Sequence, residues 1–214
     1  MDLVSLEHLL GLQLGRTEAQ FKATLSMTAK TQVHQRRHQL EGVLSDAWQA
    51  YCAFVRQLCI RSATGCKTKG GAVHNASVVP ASWQRVSYVA MKASQNSAVQ
   101  PAVLNSLLWK EPTWGDAAKV VNIINVLNPA NAATLRAYLA GGLPGPKHCQ
   151  IVRNACAHKN LETKGAVLAL SASYLASPIT YPADALTWRD PVSQEFAFVG
   201  WLDDMRAIAA GAVT

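Results

Sequence analysis

From Thr17 to Ser62 the chain carries no proline and one glycine, Gly42, while Leu40, Leu44, Ala47, Trp48, Tyr51, Val55 and Leu58 recur every three or four positions. That spacing places them on one stripe of a helix. A continuous helix over this stretch would run on the order of 65 Å. Such a length exceeds a compact domain, so the stretch is expected to bend, project or split, with Gly42 the natural weak point. A projecting helix would suit a dimer. The pattern then dissolves: Ser62-Ala-Thr-Gly-Cys-Lys-Thr-Lys-Gly-Gly71 is turn-rich and basic, and through Pro80 it predicts a loop. A helix is predicted over Ser82–Ser94, and Pro101, Pro112 and Gly115 punctuate a second irregular region before a helix from Asp116 to Leu127. Asn128-Pro129 supplies a cap and a first-turn proline for a short helix closed by Gly141-Gly142.

Leu143-Pro-Gly-Pro146 forces a turn, and Pro146 is placed to open a helix running through about Asn160, with a continuation past Gly165 to Leu175 left open. Asp190-Pro191 gives a last start signal, and Phe198, Trp201, Leu202, Met205, Ile208 and Ala209 form an apolar face ending near Gly211. No alternation of strand period appears. The expectation is a single all-α domain over residues 1–214, a helical bundle with a long N-terminal helix and an irregular middle insertion at 63–115.

Composition sharpens this picture. Half of the 214 residues are hydrophobic and 15% are charged, so the chain is expected to fold and to keep an apolar surface suited to self-association. Twenty basic against thirteen acidic residues give a formal charge of +7, which favours an anionic partner such as nucleic acid. Five cysteines, an odd number at low density, predict reduced thiols in the cytoplasm. The start Met1-Asp-Leu-Val-Ser-Leu-Glu7-His8 lacks the basic flank of a signal peptide. No apolar run reaches the roughly 20 residues of a membrane span, so no membrane partner is expected. Cys52, Cys59 and Cys66 recur every seven residues, as do Cys149 and Cys156, with His148 and His158 beside the second pair. Structural zinc prefers closer pairs, so these cysteines read as core and no metal or other cofactor is expected. Gly65-Cys-Lys-Thr-Lys-Gly-Gly71 lacks the spacing and the preceding strand of a phosphate loop. No clustered carboxylates support a two-metal nuclease.

The candidate chemistry lies in Ile151-Val-Arg-Asn-Ala-Cys-Ala-His-Lys-Asn160, where Arg153, Asn154 and His158 fall within two turns of a predicted helix. Arginine keeps its charge and grips a phosphate through two hydrogen bonds, asparagine orients a neighbour or a phosphate oxygen, and histidine moves a proton near neutral pH. Those are the tools of RNA cleavage without a metal, because RNA supplies its own 2′-hydroxyl nucleophile. Asn154 and His158 share a face, but Arg153 and His158 differ by about 140° around a straight helix. A more complete site would form if two copies of this helix met across a two-fold axis, which makes a homodimer part of the expectation. Lys147 and Lys159 would add positive field, and Arg36 and Arg37, in His34-Gln-Arg-Arg-His38, are candidates to grip RNA phosphates or simply to face solvent.

The pattern Arg-Asn-x-x-Ala-His resembles the signature of the HEPN superfamily, all-helical domains frequent in prokaryotic toxin and antiphage systems. The resemblance covers residues 146–175 and, more loosely, the long helix ending near Arg61. It implies a metal-independent endoribonuclease acting as a toxin or defence effector, with Arg153, His158 and Asn154 at its centre. RNA, a second copy and an antitoxin or defence partner would be its partners. HEPN domains that are modified on a tyrosine two positions after the histidine differ here, where Asn160 stands. The alternatives are a non-catalytic HEPN-like module that binds nucleotide, RNA or protein, and a purely structural helical partner.

Overall fold

The apolar stripe from Leu40 to Leu58 lies within a helix, α2 (Val33–Thr64), and every one of its members is buried. The computed structural model describes residues 2–214, with only the backbone of Lys30 included. Gly42 sits inside α2 and does not split it. The separation falls earlier, after α1 (Val4–Leu25), a helix that starts thirteen residues before the predicted Thr17. The amides of Ser26 and Met27 donate to carbonyls three residues back, those of Ala23 and Thr24, which tightens the last turn, and the Ser26 hydroxyl also bonds Ala23 O. A 3₁₀ turn over Lys30–Gln32 then leads into α2.

The remaining helices are α3 (Trp83–Ser94), α4 (Ala117–Leu127), α5 (Ala132–Leu139), α6 (Gly145–His158), α7 (Leu161–Leu170) and α8 (Ala197–Ala212). The chain is mostly helical, of the all-α class. The predicted 62–80 loop contains one small hairpin, β1 (Cys66–Lys67) antiparallel to β2 (Val73–His74), with Cys66 opposite His74. Ser82 and Asp116, at the predicted starts of α3 and α4, cap them, each side chain accepting the amide three residues on. Asn128 does the opposite of its predicted task. In the left-handed region at φ 41°, it ends α4 by donating its N–H to Ile124 O, and α5 begins only after Asn131. Asp190 likewise caps no helix; it accepts the amides of Val192 and Ser193 in a turn, and α8 starts at Ala197.

The contacts group into two compact units, to each of which α1, α2 and α8 contribute residues. The first contains Cys52–Gly142 with residues from both chain ends. Leu58, Val86, Val89, Ile123, Ile124 and Leu135 form its centre. Its irregular middle region is pinned by Glu111, whose carboxylate accepts from Arg56 Nε (2.6 Å) and Nη2 (2.8 Å), from Trp114 Nε1 (2.8 Å) and from the Ser87 hydroxyl. Burial works to raise this carboxyl, yet the hydrogen bonds from Arg56, Ser87 and Trp114 outweigh it and hold the group below the usual carboxylate range.

The second unit contains Gly11–Tyr51 and Leu143–Arg206. Phe21, Leu40, Leu44, Val152, Trp188, Phe198 and Trp201 fill its core. The start of α6 meets α8 with no room for a side chain: a Cβ on Gly145 would lie 2.7 Å from Trp201 Cα, and the Gly145 amide donates to Asp204 Oδ2 at 2.8 Å. This contact fixes where the candidate motif begins.

Candidate active site

Helix α6 buries Cys149, Val152 and Ala155 along one stripe, which leaves Arg153 and Asn154 half-buried and His158 exposed. The helix does not continue toward Leu175. His158 is its last residue, because Lys159 takes the left-handed conformation (φ 46°, ψ 40°) and donates its amide to Ala155 O. Asn160 then caps α7: its side chain accepts the Thr163 amide at 2.8 Å while Thr163 Oγ1 accepts the Asn160 amide at 3.3 Å. The imidazole therefore projects from a helix end beside a joint, not from the middle of a long helix.

Within the motif, Arg153 Nη1 donates to Asn154 Oδ1 at 3.4 Å. The Asn154 amide thus meets the guanidinium of its neighbour rather than the imidazole of His158, which shares its face of the helix. Two of the four predicted RNA-binding cations, Arg37 and Lys159, come together at Tyr181. The guanidinium carbon of Arg37 lies 4.7 Å and the Lys159 ammonium 5.2 Å from the centre of the Tyr181 ring, and Lys159 Nζ reaches the Tyr181 hydroxyl at 3.5 Å. The hydrogen bond to Tyr181, followed by the charge of Glu41, raises the Lys159 ammonium above its ordinary value. Arg36 is half-buried on α2, and Lys147 is exposed in the first turn of α6.

Lys159, Asn160, Lys164, Val167, Ile179 and Tyr181 line a cavity of about 780 Å³. Arg153 and His158 are not among its lining residues. Its wall is mixed: an aromatic ring and aliphatic side chains, two lysines, and the polar start of α7. No spacing rule joins Lys159 to Tyr181, which stands 22 positions away on the edge of a 3₁₀ turn over Pro182–Thr187.

A second polar chain runs beneath α6. Trp201 Nε1 donates to the Tyr174 hydroxyl oxygen at 2.7 Å, and that hydroxyl is 2.7 Å from His148 Nδ1. The indole, the phenol and the imidazole thus form one hydrogen-bonded row, in which the tautomer of His148 sets the direction of its bond with Tyr174. Burial, aided by the Lys147 charge, pushes the His148 imidazole below its ordinary value. Cys156 is half-buried on α6, its thiol pushed up to about 12 by burial and then by the charges of Glu41 and Asp184, so it is not a nucleophile at neutral pH. Cys59 is fully buried and likewise pushed up to about 12. Among the described residues no disulfide forms and no three His, Cys, Asp or Glu side chains gather to hold a metal ion. No helix among them is long and apolar enough to cross a membrane. Compared with models of protein families, with curated proteins and with solved structures, the chain matches none.

Proposed function

We propose that this chain is a HEPN-like endoribonuclease that cuts RNA without a metal ion, acting in the prokaryotic cytoplasm as a toxin or antiphage effector. The observation that carries the reading is the arrangement on α6. A guanidinium held by an adjacent amide and an exposed imidazole lie on one short helix, next to a cavity bearing two lysines and an aromatic ring. Neutral His158 takes the proton of the 2′-hydroxyl, and the oxygen attacks the adjacent phosphorus. Arg153 stabilises the charge that builds on the phosphate oxygens. The bond from phosphorus to the 5′-oxygen breaks, and that oxygen receives a proton from water or from the histidine of a second copy. The products are a 2′,3′-cyclic phosphate and a 5′-hydroxyl, with no net change in oxidation state. Lys159, Lys164 and Arg37 attract the RNA backbone, and Tyr181 offers a face to a base.

Purified protein is incubated with RNA in EDTA beside Arg153→Ala and His158→Ala. The expected outcome is cleavage by the parent, cyclic-phosphate ends, intact DNA, and loss of on the order of a hundredfold or more in rate for either variant, the scale of general acid–base catalysis. Unaltered helical spectra are expected for both. Cleavage that requires Mg²⁺, or variants that cut at the parental rate, would remove the assignment.

One observation favours a second reading, a non-catalytic module that binds nucleotide or RNA: the cavity is lined by Lys159, Lys164 and Tyr181 but not by the arginine–histidine pair. In that case the same experiment yields RNA retention without cleavage.

A further inference from the structure

Arg85, in the first turn of α3, is 8% exposed. Its Nη1 donates to Gln100 O at 2.7 Å and to Val103 O at 3.1 Å, and the guanidinium carbon lies 5.5 Å from the centre of the Tyr88 ring. These contacts offset part of the charge. No carboxylate pairs with it among the described residues, and its Nε is buried without an acceptor. A permanent cation taken from water without a counter-ion is costly, and proteins seldom retain one unless an anion completes it. Arg85 contributes to the wall of a cavity of about 370 Å³, whose other residues include Val78, Val89, Val99 and Val126. Ser77 also lines it, but its hydroxyl is already committed to Leu127 O at 2.8 Å.

We propose that this cavity binds a small monocarboxylic acid with an apolar body, its carboxylate taken side-on by the Nε–Nη2 edge of Arg85. The Nη1 bonds hold the Gln100–Val103 segment, and the opposite edge is the one that matches two carboxylate oxygens. One arginine neutralises one negative charge. Inorganic phosphate would bring further charge and further oxygens, which valine walls cannot hydrogen-bond. At about 30 Å³ per water-sized group the space holds a ligand of roughly ten heavy atoms, the size of a short-chain or branched-chain acid. Arg85 and its cavity belong to the unit containing Cys52–Gly142, whereas Arg153 and His158 belong to the other, so the proposal stands without the ribonuclease reading.

The test is titration calorimetry and thermal unfolding of the whole chain with hexanoate, hexanamide and inorganic phosphate. Hexanoate is expected to bind and to raise the melting temperature. Hexanamide, equal in shape but uncharged, is expected to bind about tenfold more weakly or worse, the difference made by a charged hydrogen-bond partner, and phosphate to give no heat. Arg85→Met should lose hexanoate binding. Should that variant fail to fold, the preference of the unaltered protein for hexanoate over hexanamide decides alone. Equal binding of acid and amide, tighter binding of phosphate, or no binding of hexanoate at millimolar concentration would each overturn the proposal.

Discussion

At the scale of single residues, His148 offers a pH dependence whose sign follows from its surroundings. Its folded imidazole is held below its unfolded value by burial and by Lys147, so the folded state resists the proton that the unfolded chain accepts. Stability from this group is therefore complete above about pH 6.5, the ordinary value for histidine, and is lost as pH falls from there through the lowered folded value. Urea unfolding of the parent should show a declining midpoint across that window. His148→Leu should cost about 1–2 kcal/mol at pH 7.5, from the hydrogen bond that Tyr174 loses, and should remove the decline; a variant that keeps the parental slope would assign it elsewhere. No part of this trio is legible in the chain, because His148, Tyr174 and Trp201 are joined only by packing. The motif itself is legible, since Arg153, Asn154 and His158 lie within one helix. The partner of Asn154 is not, because the choice between guanidinium and imidazole depends on side-chain rotation that spacing leaves open.

Among the elements, the starts of α3 and α4 are legible, whereas those of α1, α5 and α8 are not. Ser82 and Asp116 announce α3 and α4 because a short acceptor before an apolar run satisfies open amides. The last apolar face, Phe198 to Ala209, appears as α8 with those members buried. The break between α1 and α2 contains neither proline nor glycine, only Ser26-Met27-Thr28-Ala29 before the 3₁₀ turn, and so leaves no strong mark. Asn128 bears a side chain equally fit to end one helix or begin the next. The joint at Lys159 is the least visible, since a left-handed lysine has no sequence signal. That joint can be tested. Lys159→Gly should raise stability by about 1 kcal/mol, by removing the Cβ penalty of a left-handed residue, while weakening RNA binding through loss of a cation. A fall in the unfolding midpoint would mean that the contact with Tyr181, not the backbone preference, holds the turn.

For the whole molecule, the charge of +7 and the apolar composition point toward a polyanion and a second copy. If the arginine of one protomer serves the histidine of its partner, light scattering should return twice the chain mass of 23.0 kDa. Mixing inactive Arg153→Ala with inactive His158→Ala should then rebuild one intact site in each mixed dimer. Half the dimers are mixed and each has one of two sites, so about a quarter of parental activity should return. Dimers that exchange subunits without any recovery would show that each chain keeps its arginine and histidine together. A composite site also bears on what the chain itself can disclose, since a single sequence presents the half-sites and not their meeting.

The left-handed turn at Lys159 also bears on how such a protein changes over generations. The distance in sequence from arginine to histidine is fixed inside α6, while α7 and the Tyr181 edge of the cavity are reached only after that one residue. Insertions or deletions beyond it would leave His158 unrotated with respect to Arg153. The candidate pair and the cavity are thus heritable separately, and under the proposed function a lineage could exchange its target while leaving its chemistry untouched.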